Sequence, residues 1–380
     1  MNLALILHAL SVNNGVSRVV LSHAREFSAC GHTVHLYASR LLLPEEEKRA
    51  LPPNIFLHRF PCLRGSNRLW ATPFGALLPF LNSGHDLVVS HLLTVRQDVI
   101  VMHNDPQPVE VEKLSAVPFT IDRPRLRTRN RVIRTFIEKK RFAPGRYKSV
   151  VALSRRSAGE ISTAYGVEPG RIRTIRHGVD ALRFSPAWRA ARRASARAAL
   201  ALSPEELAFV YIGDSWKGLE FAIRGLAAAR RPGNSVLVAS GPFHEQPFSD
   251  LASDLGLKLI CKNDWADIRD LYSAGDVFIN TTPMDTFGLA VLEAMAMGLA
   301  VITTKYAGVS EFFKDGENAF ILDRPWDTGA IAGLADRLGD QDLRRRLCAR
   351  GVELASALSW KEPAREHLEL YEELVKRRRK

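Results

Sequence analysis

The sequence predicts an α/β protein made of two doubly wound, parallel-sheet domains, and three observations carry that expectation. Short runs rich in Val, Ile and Leu alternate with helical patterns from end to end, which is how strands covered on both faces by crossover helices read. At 380 residues the chain is long enough for two cores of roughly 100 to 200 residues each. Its hydrophobic content of 46% is sufficient to fill them and lies far from the composition of a disordered chain.

In the first half, strands are predicted at Leu3 to Leu7, Thr33 to Ala38, Ile55 to Phe60, Leu87 to Ser90, Val99 to His103, Val150 to Leu153 and Ile172 to Ile175. In the second half they recur at Phe209 to Ile212, Val236 to Ser240, Leu257 to Cys261, Val277 to Asn280, Val301 to Thr304 and Ala319 to Leu322. The boundary is placed just after His177-Gly178-Val179-Asp180, where a strand ends and a polar helix rich in Arg and Ala follows. This gives domains 1–180 and 181–360. The spacing of Leu368, Tyr371 and Leu374 predicts a final helix over 361–380, closed by the charged tail Lys376 to Lys380.

Met1 to Leu10 is apolar but lacks the basic lead-in and small-residue cleavage site of a secretory leader, and is read as a first buried strand. No apolar run approaches the ~20 residues that span a bilayer; Phe74 to Leu81 is short and contains Pro79. The chain is therefore expected not to cross a membrane. Cys30, Cys62, Cys261 and Cys348 have no paired spacing, so free thiols in a reducing, cytoplasmic compartment are expected.

Charge is strongly localised. Residues 123–156 hold thirteen basic side chains against one acid, Glu138, so this stretch accounts for the whole net charge of +12. Such a patch suits a polyanion. From Asp122 as N-cap, with Pro124 in the first turn, the segment to Phe142 is predicted to be an amphipathic helix. Leu126, Val132, Ile133, Phe136 and Ile137 share one side; Arg127, Arg131, Arg134 and Arg141 share another, with Lys139 and Lys140 adding charge. These six basic residues are the expected contact with an anionic membrane surface, at about 1 kcal/mol per cation near the headgroups. The plainer alternative is a helix whose apolar side packs on the sheet while its arginines are solvated. Nucleic acid ranks last as a partner, since no aromatic stacking motif accompanies the charges.

The stretch most suggestive of chemistry runs from Val277 to Leu322 as strand, loop, helix, Gly, strand. Gly288 lets the backbone approach a ligand just before a helix from Leu289, whose unpaired first-turn amides suit a diphosphate. Asp285 in the loop and Glu293 in the helix can face one polyhydroxylated ligand. Taken singly, either acid could equally cap a helix or solvate a surface.

As a whole, this string resembles the signature of the large retaining GT-B glycosyltransferase family of the family 4 type, with two acids separated by seven residues around Phe287-Gly288. The resemblance implies that Glu293 binds the nucleotide ribose and Asp285 the hydroxyls of the transferred sugar, with Leu289 and Ala290 at the donor phosphates. Asp285 stands where the family usually has Glu. Further landmarks in register are Asn13 to Arg18, whose Gly15 and Arg18 would approach the donor, and Lys217-Gly218, where the family sets an Arg and a Lys against the diphosphate. The Arg is absent from this loop; Arg18 and Arg176 are candidates to assist. The run Val99-Ile100-Val101-Met102-His103-Asn104-Asp105 resembles the family strand whose terminal His lies by the sugar, which favours His103 over His91 as an orienting group. The basic helix resembles the membrane-contacting region of bacterial lipopolysaccharide-core glucosyltransferases.

The resemblance implies two facing Rossmann-like domains with the active site in their cleft, and a C-terminal helix crossing back to the first domain. The implied reaction is retaining transfer of a hexose from a nucleotide diphosphate sugar, most simply UDP-linked, to a saccharide or glycolipid acceptor held by the N-terminal domain. His103, Lys217 and Asp285 are the expected catalytic residues. No Asp-x-Asp motif offers a metal site, so no metal and no cofactor beyond the donor is expected. The expected location is the inner face of the cell membrane. A nucleotide-sugar epimerase of the same fold, a phosphorylase with lysine-linked pyridoxal phosphate, and a non-catalytic membrane- or nucleic-acid-binding protein remain as alternatives.

Overall fold

The computed structural model describes residues 1–12, 14–60, 84–121, 128–230 and 234–379. The chain forms two compact units. One comprises Met1–Val111, Leu126–His177 and Trp360–Lys380; the other comprises Glu112–Arg125 and Gly178–Ser359.

The first unit is built on seven strands: β1 (Asn2–Leu10), β2 (Thr33–Leu41), β3 (Ile55–Arg59), β4 (Leu87–Ser90), β5 (Val99–Val101), β6 (Ser149–Ala152) and β7 (Ile172–Thr174). They pair in the order β3-β2-β1-β4-β5-β6-β7, all parallel. In β1 the run Leu3 to Leu7 is buried, because the strand has a neighbour on each side and helices over its faces. The helix Gly15–Ala29 follows, capped by Asn14, whose side chain accepts from the Ser17 N–H at 3.1 Å. The C-terminal helix Lys361–Arg379 belongs to this unit, with Tyr371 edge-on to Phe27 at 5.8 Å and Glu373 ion-paired to Arg173 at 2.8 Å.

The second unit has six strands: β8 (Leu207–Ile212), β9 (Ser235–Ser240), β10 (Lys258–Cys261), β11 (Val277–Ile279), β12 (Ala300–Thr304) and β13 (Phe320–Leu322). Their order is β10-β9-β8-β11-β12-β13, again all parallel. All thirteen runs predicted from sequence are strands. Residues 112–121 group with this unit for a local reason: buried Glu220 accepts from the N–H groups of Thr120 and Ile121, each at 2.9 Å, and Phe119 stacks on Phe221.

In each sheet the strand order reverses once, between β1 and β4 and between β8 and β11. Open α/β sheets bind ligands at the carboxyl ends of the strands flanking such a reversal. Those two places are where chemistry is to be sought.

Candidate functional site

In the second unit, β8 ends at Ile212 and runs into Gly213 to Gly218, while β11 ends at Ile279 and runs into Asn280 to Gly288. The two loops are locked together. Gly218 has φ +99°, and a Cβ there would stand 2.2 Å from the Thr281 carbonyl oxygen; the Thr281 hydroxyl donates to the Gly218 carbonyl at 2.7 Å. Backbone bonds also pin the second loop to the segment after β12, with the Asp285 N–H donating to Tyr306 and the Gly308 N–H donating to Asp285. Across the reversal point Lys217 Nζ meets Asp285 Oδ2 at 2.6 Å. Gly288, at φ +97°, opens the helix Leu289–Ala296, which no side chain caps. Its first-turn amides and the positive end of its dipole therefore lie at the reversal point beside the Lys217–Asp285 pair. Glu293, 5% exposed, sits a turn further on and accepts from the Tyr272 hydroxyl at 3.0 Å. Phe287 is buried in the same loop, its N–H donating to Asp285 Oδ1.

In the first unit the carboxyl ends of β1, β4 and β5 open onto a cavity of about 250 Å³, lined among others by His8, Asn14, His91, His103, Arg134 and Arg141. His91 Nδ1 and His103 Nε2 are 2.9 Å apart, and His103 stacks on His177. Burial, then the nearby charge of Arg141, pushes the His103 pKa down to about 3, so the imidazole is neutral at pH 7. It can orient a hydroxyl but is a weak base. The sequence favours His103 over His91, whereas in the structure the two rings form one hydrogen-bonded pair.

Residues 13–183 match the model of Glycosyltransferase Family 4, and residues 193–353 match that of Glycosyl transferases group 1. The chain carries a family 4 glycosyltransferase domain followed by a group 1 glycosyl transferase domain. D-inositol 3-phosphate glycosyltransferase of Nocardia farcinica is 29% identical over 238 residues, covering 58% of this chain and 52% of that protein. The enzyme of the same name from Saccharomonospora viridis is 32% identical over 236 residues, covering 57% and 54%. The chain thus spans about half the length of the curated relatives it matches. Among solved structures, WaaG, a glycosyltransferase involved in lipopolysaccharide biosynthesis, aligns with a TM-score of 0.78 at 19% identity over 96% of this chain and 98% of that one. Anabaena HepE, solved with UDP and glucose, aligns at 0.75 and 16% identity over 98% and 100%. At these identities the likeness establishes the fold, that of two Rossmann-like domains of the GT-B type.

Of the residues singled out from sequence, the group 1 domain brings together Lys217, Asp285, Phe287, Gly288, Leu289, Ala290 and Glu293 around one reversal point. Gly15 is the first residue of the helix after β1 and Arg18 lies in its first turn, in the family 4 domain with His103. Arg176 follows β7 in that domain. Among the described residues no group of three or more His, Cys, Asp or Glu side chains could hold a metal ion. Tyr272 and Glu220 were missed, since each acts through a partner distant in sequence.

The basic helix differs from expectation. It spans Arg129–Arg141 with Thr128 as cap, and the expected cap Asp122, with Pro124, Leu126 and Arg127, lies outside the described residues. Its charged side faces the protein: Arg131 and Arg134 pair with Glu110 at 2.7 and 3.1 Å, Arg134 also with Glu138 at 2.9 Å, and Arg141 is 4% exposed. The outward side carries Val132 and Phe136, 68% and 62% exposed, beside exposed Lys139 and Lys140. Arg131, Arg134 and Arg141 are therefore not the surface cations expected of them. Glu110 turns Arg131 and Arg134 inward, buried Glu138 also takes Arg134, and buried Arg141 lies against the Met102 thioether at 3.7 Å.

Proposed function

We propose that the protein is a retaining, metal-independent glycosyltransferase that moves a hexosyl unit from a nucleotide diphosphate sugar, UDP-linked, to a hydroxyl of a saccharide or glycolipid acceptor such as lipopolysaccharide core. One observation carries this reading: at the reversal point of the group 1 domain a lysine, a loop carboxylate and an uncapped helix start converge, with a second carboxylate one turn on. The two family matches and the fold shared with HepE, solved with UDP and glucose, support it. Diphosphate oxygens take the amides of Leu289 and Ala290, and Lys217 offsets the charge that grows as the glycosidic bond breaks. Asp285, its carboxylate freed as Lys217 turns to phosphate, accepts from sugar hydroxyls. Glu293, already oriented by Tyr272, accepts from the ribose.

Replacing Glu293 by Gln or Ala is expected to weaken UDP binding roughly ten- to hundredfold, the loss of hydrogen bonds to a charged group of about 1.5–3 kcal/mol. Calorimetric titration checks this, and unchanged UDP affinity in both variants would overturn the ribose assignment.

The outward face of the basic helix favours a peripheral contact with the anionic inner leaflet. No helix among the described residues is long and apolar enough to cross a membrane. Phe136, with Lys140 over its ring at 5.5 Å, can bury its side chain at the headgroup boundary while Lys139 and Lys140 meet lipid charge. The combined change Val132→Ser, Phe136→Ser, Lys139→Glu and Lys140→Glu is expected to reduce flotation with anionic liposomes at least tenfold. Flotation equal to the parent protein would rule out this face.

A further inference from the structure

An indole ring stands at the reversal point of the group 1 domain, beside the Lys217–Asp285 pair. Trp216 and Lys217 are successive residues of one turn of 3₁₀ helix, Ser215–Lys217. With three residues to a turn, neighbours in such a helix point about 120° apart. The two side chains nevertheless converge. Lys217 Nζ lies over the Trp216 ring, 5.7 Å from its centroid, while it holds Asp285 Oδ2 at 2.6 Å. The ammonium is thus bracketed by a carboxylate and the face of an aromatic ring, so that face is turned to the site. Trp216 is only half-buried, and among the described residues no hydrogen bond and no other ring engages it. The fold therefore leaves a large apolar side chain partly in water where the donor would lie, with no packing task of its own.

We propose that Trp216 is the platform for the transferred hexose and so a determinant of donor specificity. Once Lys217 leaves the ring for the donor diphosphate, the uncovered face packs against the C–H side of the pyranose whose hydroxyls donate to Asp285. This deepens the glycosyltransferase reading and rests on it. The chemistry of the ring decides which part of the donor it takes. An aromatic face is negative and repels phosphate, whereas the C–H groups of a sugar are weakly positive and apolar. The covalent order of the donor decides against the base. With Glu293 on the ribose and Lys217 on the diphosphate, the base lies beyond the ribose, and the unit next to Lys217 and Asp285 is the hexose. A ring platform also selects among hexoses, because a hydroxyl standing on the packed side would lose water and gain no hydrogen-bond partner.

The test titrates UDP, UDP-glucose and UDP-galactose by calorimetry into the full chain, Trp216→Leu and Trp216→Phe. Leu keeps apolar bulk without a ring, and Phe keeps a ring face without the indole N–H. For whichever UDP-hexose the parent binds more tightly, Trp216→Leu should weaken binding roughly five- to tenfold, the scale of one aromatic contact and the apolar surface it covers. Trp216→Phe should stay within about threefold of the parent, and UDP, which lacks the hexose, should bind all three proteins within about twofold. A loss confined to the UDP-hexose separates the platform from a role in loop packing, since a disturbed loop would move Lys217 and weaken UDP as well. Undiminished UDP-hexose affinity in Trp216→Leu, an equal loss for UDP in that variant, or a loss in Trp216→Phe as large as in Trp216→Leu overturns the proposal. A parent that binds UDP and neither UDP-hexose removes the platform and leaves a nucleotide site standing. A parent that binds none of the three sinks the glycosyltransferase reading itself, and the platform with it.

Discussion

Replacing Lys217 by Met is expected to slow sugar transfer by roughly 10²–10³-fold, with KM for the acceptor unchanged. The magnitude is that of removing one preorganised group facing charge that develops in a transition state, about 2.7–4 kcal/mol. Lys217 is suited to this role because its stem is held before any ligand arrives. It lies over Gly213, where a Cβ would stand 3.3 Å from the Lys217 Cδ, and its ammonium is fixed on Asp285 at 2.6 Å. The cost to stability should be small, since both side chains are partly exposed and exposed pairs contribute about 1 kcal/mol or less. Single-turnover rates measured with saturating donor report the effect directly. A rate within threefold of the parent would remove Lys217 from the chemistry.

The parts of this protein that were legible in its sequence are those whose cause is local. Each strand is buried on both faces, so each appears as a short apolar run whatever its place in the sheet, and all thirteen could be found without knowing the strand order. The loop from Asp285 to Glu293 was legible for the same reason: glycine, helix start and both acids lie within nine residues. What escaped depends on partners far along the chain. The helix Arg129–Arg141 has a basic and an apolar side, and periodicity cannot say which one turns inward. Glu110, some twenty residues earlier, and Tyr165, some twenty-five later, decide it by supplying the hydrogen bonds that retain the arginines and Glu138 inside. Arg131 and Arg134, which suggested a lipid contact, thus belong to an interior network, and what the helix exposes instead is Val132 and Phe136. The meeting of His91 with His103 was invisible for a related reason, since it follows from the pairing of β4 with β5.

Acid should unfold the family 4 domain well before the group 1 domain. His23, His91, His103, His177 and His367 are all buried in the first unit, and burial is the leading cause that lowers the pKa of each, to about 3 for His23 and His103. A histidine in the unfolded chain titrates near 6.5. Above that pH both states are neutral and the group has no effect on stability. Between 6.5 and about 3 the unfolded chain takes up protons that the folded one refuses, so stability falls as pH falls. At pH 5 the loss is about 2 kcal/mol for each ring that stays neutral, and about 4 kcal/mol for His23 and His103 together, a large part of a typical 5–15 kcal/mol. The group 1 domain has a single histidine, His244, which is exposed, and its carboxylates with lowered pKa, such as Asp267 and Glu220, act only at lower pH. Hydrogen exchange at pH 7.5 and pH 5 should therefore show protection falling in peptides of the first unit while those of the second hold. His23→Phe is the matched control. The ring packs among Phe27, Trp360 and His367, and its Nε2 has no hydrogen-bond partner among the described residues, so Phe can occupy the space without leaving a polar group unpaired. That variant should recover about 2 kcal/mol at pH 5 relative to pH 7.5. If urea unfolding of the first unit shows the same midpoint at both pH values, the rings are not held neutral and the cluster is wetter than its packing indicates.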